Sequence, residues 1–176
     1  MNLNNSISKI LFIGITIHEL AHIFACLILG VKIKNIQIFS FNEGYVVHNE
    51  SRSYKNIIIS IFPFFFNLLI AYLGILLLKQ EISLLYQIII IWISISAIFF
   101  SIPSKQDASN IFASIKKSYR TNQSLFKWFY KILLLPLTIL ILILSWAFKM
   151  LDQSIIVRIV LIFIWFYVLI ILWENN

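Results

Sequence analysis

Apolar positions in this chain come in long unbroken runs, not in the alternation that marks half-buried helices and strands of a soluble fold. Runs of about 20 residues, the length a hydrocarbon core requires, fit five times: roughly residues 8–30, 56–78, 82–102, 125–148 and 154–173. Pro136 falls inside the fourth, where its missing N–H bends a helix. The polar stretches between the runs are short. Residues 31–41 (VKIKNIQIFSF) are rich in β-formers, pause at Asn42, Glu43 and Gly44, and resume with Tyr45, Val46, Val47 and His48. That pattern predicts a β-hairpin, too polar to span, lying at the membrane face or dipping into it. Residues 104–120 (SKQDASNIFASIKKSYR) read as a basic amphipathic helix of the interfacial kind.

The expected fold is therefore an all-α polytopic membrane protein. It has about five transmembrane helices and a short membrane-associated β-hairpin after the first. Residues 1–120 make up a three-span core, and residues 121–176 a C-terminal transmembrane helical hairpin.

Composition agrees. Of 176 residues, 61% are hydrophobic and 12% charged, with a mean hydropathy of +0.94. A soluble domain cannot face water with so few polar groups, so lipid is most of the solvent. The net charge of +7 does not point to nucleic acid, because the cations sit in loops between apolar runs. Lys32, Lys34, Arg52, Lys55, Lys105, Lys116, Lys117 and Arg120 follow the first and third runs, and Lys127 and Lys131 open the fourth. Only Lys9, Lys79, Lys149 and Arg158 fall on the other side. That bias predicts an outside N-terminus and a cytoplasmic C-terminus, with the basic loops against anionic lipid. The first run is long enough to span by itself and lacks a small-residue cleavage site, so it reads as a retained helix. One cysteine, Cys26, excludes an internal disulfide.

The chemistry concentrates in that first run. His18-Glu19-Leu20-Ala21-His22 is an H-E-x-x-H motif on a helix. A spacing of four residues brings both imidazoles to one face, where they can share a zinc ion. Glu19 then stands beside the metal, placed to take a proton from zinc-bound water. A protein carboxylate and that water would complete the coordination. Ionisable side chains at mid-membrane cost about 2.5–3.5 kcal/mol each even on the gentlest scale, so three together demand a partner. A hydrogen-bonded patch joining helices is the plainer alternative.

The stretch HELAHIFACLILGVKIKNIQIFSF resembles the site-2 protease family of intramembrane zinc metalloproteases. There the motif is followed by a Gly-Val-Lys-like helix exit and then β-structure, matched here by Gly30, Val31, Lys32 and the hairpin. The resemblance covers the first three runs, to about Asp107, and implies cleavage of membrane-anchored protein or peptide substrates. It also implies an aspartate as third ligand, usually in an Asn-x-x-Pro-x-x-x-x-Asp-Gly context. This chain offers Pro103, Ser104 and Asp107, with the spacing one residue short and the asparagine and glycine absent. The shortened form looks like that of small, divergent relatives, which makes Asp107 the expected ligand. Asp152 and Glu81 fall on the opposite side of the predicted topology.

Family members place an asparagine near Asn67, after Gly-Pro. Asn67 follows Pro63 here, and could bond the substrate backbone or an oxyanion, or simply a neighbouring helix. His48 reads as a surface histidine and Cys26 as a small packing residue. An edge strand of the hairpin could capture an unwound substrate segment. The resulting expectation is a zinc endopeptidase of a bacterial plasma membrane, with Glu19 as base and His18, His22 and Asp107 as ligands. The altered aspartate motif leaves open an inactive relative serving as a membrane immunity or regulatory protein. Metalloproteases that process prenylated proteins fit less well, since Leu27 stands where they carry an aspartate. Spans this free of polar residues argue against a metal transporter.

Overall fold

The computed structural model describes residues 7, 9–39, 44–120, 135–151 and 154–174. The expected turn residues Asn42 and Glu43, the cations Lys127 and Lys131, and Asp152 lie outside them. Among the described residues there are six helices and one two-stranded sheet: α1 (Phe12–Ile28), β1 (Ile33–Gln37), β2 (Tyr45–His48), α2 (Ser53–Leu78), α3 (Leu84–Phe99), α4 (Lys105–Arg120), α5 (Leu135–Leu151) and α6 (Ile155–Glu174). α2 and α6 are long and apolar enough to cross a membrane; α1, α3 and α5 are shorter apolar helices. Large side chains such as Leu84 (71% exposed) and Phe163 (69%) stay uncovered, as expected where lipid replaces water.

α1 ends in a Schellman turn. Gly30 takes φ +62°, Val31 N–H donates to the Cys26 carbonyl, and Gly30 N–H to that of Leu27. Only glycine enters this conformation without strain. The turn redirects the chain into an antiparallel pair that aligns Ile36 with Val46 and Gln37 with Tyr45, the hairpin the sequence predicts.

Small residues set the helix spacing. A Cβ on Gly14 would stand 2.1 Å from the Ser96 carbonyl oxygen, and one on Gly74 2.0 Å from Ser94 Oγ, so α1–α3 and α2–α3 approach closely. α2 runs antiparallel to both neighbours. α4 runs back along the first half of α2, and Lys117 donates to Glu50 just ahead of α2. Its apolar face (Ala108, Ile111, Ile115) is buried against α2 and α5. The amphipathic pattern thus marks a helix whose apolar face packs on protein.

The C-terminal helices are tied to the core by side-chain hydrogen bonds. α5 packs on α4, with Ser145 Oγ donating to the Ala108 carbonyl (2.7 Å) and Tyr119 beside Thr138. α6 packs on α3 and α2, with Arg158 donating to the Phe99 carbonyl (2.8 Å) and Trp165 Nε1 to that of Ala71 (3.0 Å). Both helices consequently run in the direction of α2, α5 along its first half and α6 along its second. Their main partners differ, α4 for α5 and α3 for α6. The C-terminal end of α6 then lies towards the same side as the N-terminal end of α1. These side-chain bonds to carbonyls are packing contacts that hydropathy does not register.

Candidate metal centre

His18, Glu19 and His22 are buried on α1, at 7%, 8% and 8% exposure, and Asp107 is buried at 6%. The helix period places both imidazoles on one face, where their ring centroids stand 5.0 Å apart. Each ring spends its Nδ1 on a main-chain carbonyl: His18 on Phe100 (2.8 Å) and His22 on Ile59 (3.0 Å). Helix chemistry frees both acceptors. Phe100 lies just past the C-terminus of α3, where carbonyls lack intrahelical donors. Ile59 lies four residues before Pro63, inside α2, and proline has no N–H to give it.

Asp107 arrives from the opposite direction. α3 stops at Phe99, and α4 starts at Lys105 after a non-helical passage through Pro103. Ser104 and Asp107 form a capping box: Asp107 N–H donates to Ser104 Oγ (3.1 Å), and Ser104 N–H donates to Asp107 Oδ2 (3.1 Å). The Ser104 hydroxyl also donates to Oδ2 (2.7 Å). The carboxylate is thereby aimed at the two rings, Oδ2 lying 3.4 Å from His18 Nε2 and Oδ1 3.3 Å from His22 Nε2. Burial by itself would raise the Asp107 carboxyl, but the neighbouring His22 and His18 hold it well below the usual carboxylate range.

The arrangement demands positive charge at its centre. A carbonyl only accepts, so both rings donate from Nδ1, and neutral rings would then turn Nε2 lone pairs onto carboxylate oxygens. A metal cation between them, or a proton on each Nε2, removes the repulsion. Ligand atoms of His18, His22 and Asp107 all lie within 4.8 Å of one another. Ligands at about 2.0–2.2 Å from a tetrahedral zinc stand about 3.3–3.6 Å from each other, and the two His–Asp separations match. Two imidazoles and a carboxylate also leave a fourth position for water.

A cavity of about 440 Å3 opens beside this group, lined by His18, Glu19, Gly44, Ser104, Lys105 and Arg158 among others. Gly44 leads into β2 and presses on the acid: a Cβ there would meet Glu19 Cγ at 2.5 Å. A second cleft of about 670 Å3 runs between β2 and α4, past Tyr45, Val47, Ser60, Gln106 and Asn110.

His18, Glu19, His22 and Asp107 are brought together as expected. Asn67 is not among the side chains lining the cavity. It is completely buried, and its Nδ2 donates to the same Phe100 carbonyl that His18 uses (2.8 Å). His48 bonds the Asn49 carbonyl and is not in the metal group, and Cys26 packs with Ala25, Val31 and Ile59. Sequence reasoning missed the carbonyls of Ile59 and Phe100, the contact of Gly44 with Glu19, and Arg158. Pro63 signalled the first; nothing local signals Arg158, which was expected across the membrane from Asp107. The profile of the Peptidase M50B-like family matches residues 4–115, which include every ligand candidate. No curated protein and no solved structure matches the chain.

Proposed function

The chain belongs to the Peptidase M50B-like family, and from that premise we propose that it is an intramembrane zinc metalloendopeptidase acting on membrane-anchored proteins or peptides. The observation that carries the reading is the pair of Nε2 atoms facing the two oxygens of Asp107 while both Nδ1 atoms are committed to carbonyls. His18, His22 and Asp107 hold the metal. When bound, zinc polarises the scissile carbonyl and lowers the pKa of its water towards neutrality. Glu19 takes the proton from the attacking water and passes it to the amine nitrogen as the C–N bond breaks. The carbonyls of Ile59 and Phe100 keep both rings in the tautomer that points Nε2 inward.

Peptide bonds inside a helix are shielded, so a substrate must be unwound before attack. The cleft between β2 and α4 suits an extended segment added to the strand edge, and Gly44 connects the start of β2 to Glu19. Five apolar helices lie in the bilayer. The basic loops lie against anionic lipid at the cytoplasmic face of a bacterial plasma membrane. The capped Asp107 supports an active enzyme over an inactive immunity or regulatory relative, because the altered motif still delivers its carboxylate to both rings.

Metal analysis of the purified full chain tests the reading. One zinc per chain is expected, lost in Asp107→Ala. Glu19→Gln is expected to keep the zinc while cleavage of membrane-anchored test substrates stops. A chain without zinc, or a Glu19→Gln variant that still cleaves, overturns it.

A further inference from the structure

Three successive carbonyls at the end of α3 are each held by a side chain. Ser101 Oγ donates to Ile98 (2.8 Å), Arg158 Nη1 to Phe99 (2.8 Å), and both His18 Nδ1 and Asn67 Nδ2 to Phe100 (2.8 Å each). Arg158 does so from α6, outside the residues matched by the family profile. Its guanidinium carbon lies 5.0 Å and 5.6 Å from the ring centroids of Phe99 and Phe100. A cation suits the negative end of a helix and the faces of two aromatic rings. An arginine in an otherwise apolar helix is costly and calls for a purpose.

We propose that Arg158 is a positioning residue of the metal centre: it holds the terminal turn of α3 so that the Phe100 carbonyl meets His18 Nδ1. The effect passes through two atoms of main chain. Fixing the Phe99 carbonyl from one side, while Asn67 fixes that of Phe100 from another, leaves the acceptor of His18 one position. That position selects the tautomer with a proton on Nδ1 and orients Nε2 towards Asp107. Such outer partners of a ligating histidine are typically worth about 10–100-fold in metal affinity. The C-terminal helix is on this account part of the catalytic apparatus as well as a membrane anchor. Its other anchor, Trp165 on the Ala71 carbonyl, holds α6 to α2 and bonds none of the three carbonyls at the end of α3.

This inference rests on the proposed zinc site, and its test separates the two. Zinc affinity of the full chain in detergent is measured by competition with a chromophoric chelator, and the ligand geometry is read from the visible absorption of the cobalt-loaded protein. Arg158→Leu is expected to bind zinc at least about tenfold more weakly than wild type, with an altered cobalt spectrum. Arg158→Lys, which keeps a donor and a charge, is expected within about threefold, and Trp165→Phe likewise. Should Arg158→Leu fail to fold, Arg158→Gln is expected to show the same tenfold loss. Wild-type affinity and spectrum in both neutral variants overturn the inference, and so does an equal loss in Trp165→Phe, which would make α6 docking the cause. A wild-type chain that binds no zinc overturns the metal reading itself and takes this inference with it.

Discussion

Pro63 supplies His22 with its hydrogen-bond acceptor. Lacking an N–H, it leaves the Ile59 carbonyl without a helical donor, and His22 Nδ1 occupies that carbonyl at 3.0 Å. A residue that weakens α2 as a helix thereby fixes the ring of the candidate ligand His22 on α1. The same economy holds at Phe100, where the end of α3 leaves a carbonyl for His18.

Pro63→Ala restores a competing N–H. Zinc affinity is expected to fall by about tenfold, as for loss of an outer-shell partner. The metal-free chain is expected to be no less stable, since alanine is favoured over proline by up to about 3 kcal/mol in a helix interior. Chelator competition and thermal unfolding of the metal-free protein, measured side by side, check the opposite signs.

Ser104→Ala removes the hydroxyl that both caps α4 and holds Asp107 Oδ2. Loss of an N-cap costs about 0.5–2 kcal/mol, and the freed carboxylate is expected to cost about 10–100-fold in zinc affinity. Ser104→Thr keeps both bonds and is expected to retain most of the affinity. Metal titration of the two variants checks the contrast.

Gly44→Ala places a Cβ 2.5 Å from Glu19 Cγ, far inside contact distance, and Glu19 must move. Displacing a reacting group by about 1 Å can cost about 100-fold in rate, and the loss is expected in kcat with zinc content unchanged. Steady-state kinetics on a membrane-anchored peptide, with metal analysis of the same samples, reads both.

Removal of a bound metal would take away the cation shared by the two rings and the carboxylate. Stripping with a chelator is expected to lower the unfolding temperature, and adding zinc or cobalt to restore it. Free zinc at about 100 times its Kd would stabilise the fold by about 2.7 kcal/mol. A thermal shift measured against zinc concentration gives the dependence.

Much of the fold is legible in the sequence because its signals are local. Apolar runs mark the helices around Gly14, Asn67 and Ser94, and Gly30 marks the turn into the hairpin through the conformation only glycine takes freely. The paths of α5 and α6 were not legible. In lipid, one apolar face packs about as well as another, so a run of leucine and isoleucine says that a helix is in the membrane and not which neighbour it meets. Ser145, Arg158 and Trp165 settle that by finding carbonyls on α4, α3 and α2.

The candidate site divides the same way. His18, Glu19 and His22 share a face because the helical period requires it. Ser104 and Asp107 are three residues apart, close enough to cap one another without the rest of the protein. These features the sequence determined by itself. That the two groups meet, that Ile59 and Phe100 offer their carbonyls to the rings, and that Arg158 steadies the turn between them depend on contacts 37 to 89 residues apart along the chain. Only the tertiary structure decides these, because an unpaired carbonyl in a membrane takes whichever donor the packing brings to it.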